Sequence, residues 1–325
     1  MALTRLLPIE PATYAASSLH GEDRMWLETN CYVDVWIELL HALDLDPVAA
    51  LSFTFSTDFD GDQWRFFKYP ASDLRGLYGI EVFEMNPWRG VEHHVEEQLA
   101  AGRFMTIEVD SWFLPDTAGT SYRHGHVKTT ISPNMIDPDE QRLGYFHNTG
   151  YHELTGEDYA GVFRHHLRDQ PEVLVPYVEL VRLERLRRPT PDQQLDLARG
   201  QLRSHLARRP GENPVRAMRK RVETDIEWLK GGDIELFHDY AFASLRQCGA
   251  NTELAATLCT WLADRGEPVA AAAEQLTELS ATVKTTQFKL ARAVAGRSTD
   301  LTPLFDQMAE RYDGAIDVLT AAYGG

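Results

Sequence analysis

Residues 28–41 read E-T-N-C-Y-V-D-V-W-I-E-L-L-H. The residues Thr29 and Asn30 can each cap a helix, because their side chains accept hydrogen bonds from N–H groups of the first turn. Apolar residues dominate the remainder. The polar exceptions are spaced by four and then three residues, which places them on one narrow stripe of a helix: Asp34, Glu38 and His41. The stretch therefore predicts a buried helix with a single polar stripe.

Cys31 lies at the first turn of this predicted helix. Unpaired N–H groups and the positive end of the helix dipole favour an anion there, and a thiolate is an anion. Papain-like folds present their nucleophile at the start of a buried helix in this way. The alternative is that Cys31 is a small buried hydrophobe, as free cysteines often are.

The composition is that of a globular protein, with 325 residues, 43% of them hydrophobic and 25% charged. This length favours one large domain or two smaller ones. A net charge of −17 argues against a nucleic-acid partner. No apolar run reaches the length of a membrane span, so we expect no membrane partner. The absence of a signal-peptide pattern and the odd number of cysteines, three, favour the cytoplasm.

One basic segment stands out from this acidic background. Between Arg182 and Arg221 there are twelve Lys or Arg residues and four acidic residues. Such a segment favours docking of a phosphate or an acidic partner, whereas the alternative is a solvated helix face with ion pairs. The candidate docking residues are Arg208, Arg209, Arg219 and Lys220.

The first half of the chain predicts an α+β fold with a mainly antiparallel sheet. Helices are expected at 72–78, 92–101 and 155–164, and strands at 50–59, 64–69, 80–85, 103–113, 126–131, 143–148 and 176–183. The second half carries no strand signal and predicts about six helices between 190 and 325. Thr190 and Asn213 each precede a proline and are expected to cap the starts of helices. Asp233 and Asn251 are also expected to cap helices. The expected helix ends are Gly231, Gly249 and Gly266. We therefore expect an α+β domain over 1–188 and an all-α helical domain over 189–325.

Three residues of the first half could form a catalytic set: Cys31 as nucleophile, His126 as base and Asn148 as the group that orients the imidazole. Catalytic partners of this kind are neighbours in space and not in sequence. His124 is the second choice for the base, because it would share the face of His126 on an extended strand. His147 is also a candidate to contact an oxyanion or the substrate, whereas the alternative is a structural histidine, because it points opposite to Asn148 on its strand.

Other polar residues of the chain are also candidates for the site. Asn30 and Gln63 could each donate an amide hydrogen bond to an oxyanion, although Asn30 could equally act only as the helix cap. The histidines at 93–94 and 124–126 lack the spacing of a zinc site, and Asp58, Asp60 and Asp62 lack the rest of a calcium loop. We expect no metal.

The chain resembles a bacterial family, the domain-of-unknown-function family 1839. The resemblance is carried by N-C-Y-V-D-V-W-I-E-L-L-H at 30–41, D-F-D-G-D-Q-W-R-F-F-K at 58–68, L-P-D-T-A-G-T-S-Y-R-H-G-H-V-K-T-T-I at 114–131 and G-Y-F-H-N-T-G-Y-H-E-L at 144–154. More distantly, residues 28–165 resemble the N-terminal domain of butirosin biosynthesis protein H and the papain-like fold of the peptidase C39 group. Those relatives usually have Asp where this chain has Asn148.

This resemblance implies a papain-like domain with a buried N-terminal helix on the sheet, and an acyltransferase with Cys31, His126 and Asn148 as its triad. The acyl group, an aminoacyl group by this resemblance, would pass from a carrier-protein thioester through Cys31 to a small amine acceptor in specialised metabolism. No bound cofactor is expected, because a phosphopantetheine-linked thioester is already activated and no P-loop motif occurs. The expected partner is an acidic acyl or aminoacyl carrier protein. The alternatives are a cysteine hydrolase, either peptidase or amidase, and a non-catalytic scaffold of the same fold.

Overall fold

The structure is a computed structural model that describes residues 3–167 and 174–324. Its contacts divide the chain into two compact units. The first unit contains the chain up to Asp46 together with Ala71–Arg188, and the second contains Pro47–Pro70 together with the chain from Pro189 onward. The sequence placed all of 1–188 in one domain, whereas the structure groups the segment Pro47–Pro70 with the helical half.

Helix α1, Cys31–Ala42, is the helix that the stretch 28–41 predicts. Asn30 caps it, because the Asn30 side-chain oxygen accepts a hydrogen bond of 3.1 Å from the Val33 N–H. Trp36 in its middle is wholly buried. A helix that is apolar on nearly every side must be covered on nearly every side, which makes α1 the centre of the first unit.

The polar stripe of α1 binds the segment that precedes the helix. Both ring nitrogens of His20 face carboxylates, Nδ1 contacting Glu38 and Nε2 lying 3.4 Å from Asp34. The Tyr14 hydroxyl donates a hydrogen bond of 2.5 Å to Glu38, and the Thr29 hydroxyl donates one of 2.6 Å to Asp34. The side chains of His20, Asp34 and Glu38 are buried. We call these three residues the His20 cluster.

The first unit contains a seven-stranded sheet whose strands pair antiparallel. The strands are β1 Thr4–Arg5, β2 Glu81–Glu84, β3 Phe104–Asp110, β4 Lys128–Asp137, β5 Arg142–His147, β6 Gly150–Thr155 and β7 Val178–Arg182. Their order across the sheet is β2-β7-β3-β4-β5-β6, and β1 pairs with the far end of β4. The other helices of this unit are α2 Ala71–Tyr78, α3 Val91–Ala100 and α4 Gly156–Val162. The predicted α+β class and mainly antiparallel sheet are confirmed.

Several sequence predictions in this unit were wrong in detail. Strand β4 begins at Lys128, so His126 precedes the strand and does not open it. Strand β5 ends at His147, and Asn148 lies in the turn to β6 with a positive φ of 44°. The sequence missed β6 altogether. Asparagine tolerates the left-handed conformation that a short hairpin turn requires, and N-T-G at 148–150 was the signal for this turn.

The second unit is helical. Its α-helices are α5 Pro191–Leu206, α6 Pro214–Lys230, α7 Ile234–Ala241, α8 Gln247–Ala263, α9 Ala270–Val294 and α10 Thr302–Tyr323. A π-helical turn, Phe242–Arg246, lies between α7 and α8. The predicted caps Thr190, Asn213 and Asp233 are confirmed, because each side chain accepts a hydrogen bond from a first-turn N–H.

The predicted strands at 50–59 and 64–69 were wrong, because Val48–Ser56 forms a 3-10 helix and only an isolated bridge joins Phe59 with Trp64. The predictions for Gly249 and Asn251 were also wrong, because both residues lie inside α8. Asn251 instead donates a side-chain hydrogen bond of 3.1 Å to the carbonyl oxygen of Thr54. Across the described ranges 3–167 and 174–324, no helix combines the length and the apolar character needed to cross a membrane.

Candidate functional site

Cys31 is the first residue of α1, and its side chain faces the sheet. The Cys31 Sγ lies 3.7 Å from the Thr130 hydroxyl on β4. Cys31 is partly exposed, whereas Cys248 and Cys259 are buried. Burial raises the pKa of the Cys259 thiol to about 12, and it raises the pKa of Cys248 as well. Cys31 is therefore the cysteine that combines solvent access with the positive end of a helix dipole.

The first turn of α1 is fixed to the sheet by a buried carboxylate. The Tyr32 hydroxyl donates a hydrogen bond of 2.8 Å to Glu179 on β7, and the Thr106 hydroxyl on β3 donates one of 2.7 Å to the same oxygen. The register places Thr106 directly opposite Glu179. Burial and the Glu179 charge raise the pKa of Tyr32, so the phenol stays protonated and remains a donor. This contact holds the residue next to Cys31 in place.

His126 forms a hydrogen-bonded pair with an aspartate that the sequence analysis did not single out. Its Nδ1 lies 2.6 Å from Asp110 Oδ2, at the end of β3. The imidazole also stacks on Trp112, with the ring centroids 4.6 Å apart and the planes 10° apart. A carboxylate on Nδ1 fixes the tautomer and leaves Nε2 for proton transfer, which is the arrangement of a catalytic base.

Cys31 and the His126–Asp110 pair lie toward the same face of the sheet. The register of β3 and β4 places Glu108 opposite Thr130 and Asp110 opposite Lys128. Residues two apart on a strand share a face, so these four side chains point to one side. Cys31 contacts Thr130 on that side, and Asp110 holds His126.

A cavity of about 340 Å³ lies beside the His126–Asp110 pair. Its polar lining comes from Glu108, Asp110, His126, Lys128, Arg164 and Tyr177. The His126 side chain is 69% exposed. A solute can therefore reach the imidazole directly from solvent.

The structure does not join the three predicted triad residues by hydrogen bonds. Within the residues that it describes, Cys31 and His126 share no hydrogen bond. The predicted role of Asn148 is corrected, because the partner of the His126 ring is Asp110. The Asn148 amide instead lies 3.4 Å from Glu28, just before the helix cap. Its position in the β5–β6 turn directs it to the chain that enters α1.

His147 belongs to a buried network on the opposite face of β4. Its Nε2 lies 2.8 Å from the Thr129 hydroxyl, and its Nδ1 lies 2.5 Å from Asp116, which also accepts a hydrogen bond of 2.5 Å from Tyr145. Burial alone would raise the pKa of Asp116, but His147, His152 and Tyr145 together outweigh burial and lower it. Only 1% of the His147 side chain is exposed, which favours the structural alternative over a contact with substrate.

Among the remaining candidates, Asn30 caps α1, and Gln63 and His124 are exposed. The Asn30 oxygen serves as the helix cap, which was the alternative to its oxyanion role. Gln63 is exposed and belongs to the second unit, whereas Cys31 belongs to the first. His124 is exposed in the turn before His126. No group of three or more potential metal-ligating side chains was found in the ranges 3–167 and 174–324.

The four predicted docking residues lie on α6 and at the end of α5. Arg208 and Arg209 are exposed and donate hydrogen bonds to the carbonyl oxygens of Ser204 and Leu206. Arg219 forms ion pairs with Glu223 and Asp306, at 2.6 and 2.5 Å. Lys220 is exposed. Carboxylates therefore offset the charge of Arg219, whereas Arg208 and Arg209 bind only uncharged acceptors at those hydrogen bonds.

These features define an α+β protein with a thiol at a helix start and a histidine–aspartate pair toward the same sheet face. Two family models match the chain, the DUF1839 N-terminal domain over residues 15–183 and the DUF1839 C-terminal domain over residues 191–321. The chain belongs to the DUF1839 family. No curated protein matches the sequence.

Proposed function

We propose that this protein is a cysteine-dependent acyltransferase with a papain-like first unit. In this proposal Cys31 accepts an acyl group, in particular an aminoacyl group, from a carrier-protein thioester and passes it to a small amine in the cytoplasm. The observation that carries the proposal is the placement of Cys31 at the start of α1, toward the same sheet face as the His126–Asp110 pair.

The chemistry would proceed in two balanced steps. The Cys31 thiolate attacks the carbonyl carbon of the donor thioester, the bond to the donor sulfur breaks, and the donor leaves as a thiol with a proton from protonated His126. The amine then attacks the acyl-enzyme, His126 accepts the amine proton, and Cys31 leaves as a thiolate. A thioester already has a good leaving group, so this route requires no nucleotide.

The proposed base is His126 with Asp110 as the orienting group, in place of Asn148. A carboxylate stabilises the imidazolium that forms during the reaction, whereas an amide supplies no charge. The thiol and the imidazole share no hydrogen bond in the described structure, and catalytic hydrogen bonds often close only in the complex with substrate. The His126 side chain is 69% exposed, and the proposal requires that substrate binding bring its Nε2 to Cys31.

The donor is proposed to be an acidic carrier protein that bears a phosphopantetheine thioester. Arg208, Arg209 and Lys220 are exposed cations in an otherwise acidic chain, which supports docking of an acidic partner. Because Arg219 already forms two ion pairs, we expect it to contribute less to docking than the other three predicted residues.

The test is formation of a covalent acyl-enzyme. The protein is incubated with an aminoacyl-pantetheine thioester and analysed by intact-mass and peptide-mass spectrometry. We expect one acyl group on Cys31 and none on the Cys31→Ser variant, while Cys259→Ser serves as a control that keeps Cys31. Failure of the wild-type protein to acquire an acyl group from any of a panel of aminoacyl thioesters would refute the proposal.

A cysteine hydrolase is the second candidate, because His126 and its cavity are open to solvent. Transfer to an amine requires that water compete poorly for the acyl-enzyme. Measuring free acid against amide product at increasing amine concentration separates the two functions. A product that remains free acid at saturating amine would favour the hydrolase.

A further inference from the structure

A second cavity, of about 330 Å³, lies in the first unit and shares four lining residues with the cavity beside His126, namely Arg164, Leu174, Val175 and Pro176. We propose that it binds a small amphipathic carboxylate, with the apolar part inside and the carboxylate beside Arg89 and Arg164. This inference concerns binding alone and does not depend on the acyltransferase proposal.

The cavity has an apolar interior. It is lined by Ile107 of β3, by Val162 and Phe163 at the end of α4, and by Val175 and Pro176 before β7. Sites for small ligands are mostly apolar and begin at about 300 Å³, so this volume suits a small molecule. Burial of an alkyl or aryl group against such a lining removes apolar surface from water, which favours binding.

A large exposed aromatic residue stands at the wall of the cavity. Trp88 is 78% exposed, although an indole buries substantial apolar area when it finds a partner. The Arg89 guanidinium lies 5.0 Å from the Trp88 ring centroid, and both residues line the cavity. An apolar ligand would cover part of the exposed ring.

Two arginines supply the charge for an anion. Arg89 pairs with Glu97, yet its Nε is buried and has no hydrogen-bond partner among residues 3–167 and 174–324. Arg164 donates a hydrogen bond of 3.0 Å to the carbonyl oxygen of Leu174, which leaves its charge uncompensated at that contact. Because Glu97 offsets one of the two positive charges, the site favours a monoanion over a dianion such as a phosphate. A guanidinium matches a carboxylate in geometry as well as in charge.

The experiment titrates the full-length protein with octanoate and follows tryptophan fluorescence. We expect a saturable change in the wild-type protein and in Cys31→Ser, and its loss in Trp88→Phe. Trp228→Phe removes another exposed tryptophan and is expected to keep the change. Hexanoate should bind more weakly by about fourfold for each methylene removed.

The role of the arginines is tested with Arg89→Gln and with 1-octanol, which has the same chain without the charge. We expect Arg89→Gln to weaken octanoate about tenfold or more and to leave octanol unchanged, because a hydrogen bond to a charged group is lost. Arg216→Gln, at an exposed ion pair in the second unit, is the matched control. Urea unfolding verifies that each variant is folded.

Three results would overturn the proposal. They are the absence of saturable octanoate binding at millimolar concentrations, a fluorescence change that persists in Trp88→Phe, and equal binding of octanol and octanoate by the wild-type protein. Because all of these readouts measure binding and not transfer, their failure leaves the acyltransferase test unaffected.

Discussion

The stability of the first unit should fall as the pH rises, because of the His20 cluster. His20 is buried between Asp34 and Glu38, with a ring nitrogen facing each carboxylate. Burial lowers the pKa of the imidazole, but the hydrogen bonds and charges of Asp34 and Glu38 outweigh burial and raise it to about 9. An imidazolium donates from both nitrogens, so the protonated ring satisfies both acids.

The size of the effect follows from the difference between the folded and unfolded pKa values of His20. The unfolded value is near 6.5, so the raised folded value of about 9 is worth about 3 kcal/mol of folding free energy. Because the folded pKa is raised, this stabilisation is complete below about pH 6.5 and is lost as the pH rises through about 9.

The assay compares urea unfolding of wild-type protein and His20→Gln across this pH range. We expect the variant to be less stable at low pH, because two buried carboxylates lose their cation, and we expect the difference to shrink by about 3 kcal/mol toward high pH. Subtracting the variant removes contributions of the buried thiols and the other histidines. The control is His41→Gln. His41 lies on the last turn of α1, and its ring hydrogen-bonds to the carbonyl oxygen of Ala15.

A wild-type minus His20→Gln difference that stays constant with pH would refute this reasoning, since His20 would then be neutral in the folded protein. An NMR titration of the His20 ring in the wild-type protein provides a measurement that does not depend on the variant folding.

Three further predictions concern the proposed site. Iodoacetamide should alkylate Cys31 faster than the two buried cysteines near neutral pH, because only Cys31 is partly exposed. Peptide-mass mapping measures the three alkylation rates. Equal rates in the folded protein would favour a non-catalytic scaffold. Asp110→Asn should lower the rate of acyl transfer by about a hundredfold or more, because Asp110 holds the imidazole of His126. Asn148→Ala should change this rate little. A larger loss in Asn148→Ala than in Asp110→Asn would instead support the predicted triad of Cys31, His126 and Asn148. Charge reversal at Arg208 and Arg209 should slow acyl transfer from a carrier-bound thioester at low salt and leave transfer from a small free thioester unchanged. An unchanged rate with the carrier-bound thioester would indicate that the basic segment is only a solvated helix face.

Some features of this protein were readable directly from short segments of sequence. The helix at 31–42 and the caps at Thr190, Asn213 and Asp233 depend on a side chain and a backbone N–H two or three residues away. Such contacts are complete within one turn, so local residue types determine them. The spacing of Asp34, Glu38 and His41 predicted the polar stripe of α1 for the same reason. The sequence did not predict that His20 contacts this stripe.

The secondary structure of Val48–Ser56 was decided only by the tertiary structure. Leu51, Phe53 and Phe55 alternate with small residues as a strand would, but Ser52 and Thr54 are buried as well, so the alternation does not mark two different faces. Tertiary burial on all sides permits the 3-10 helix observed at Val48–Ser56.

The candidate site shows the same division. The sequence singled out Cys31 and His126 because a cysteine at a helix start and a histidine near a strand are local patterns. The pairing of His126 with Asp110 depends on the register of β3 and β4, which brings together residues 16 positions apart. Register is determined by the packing of a whole sheet face, and no short stretch of this chain encodes it alone.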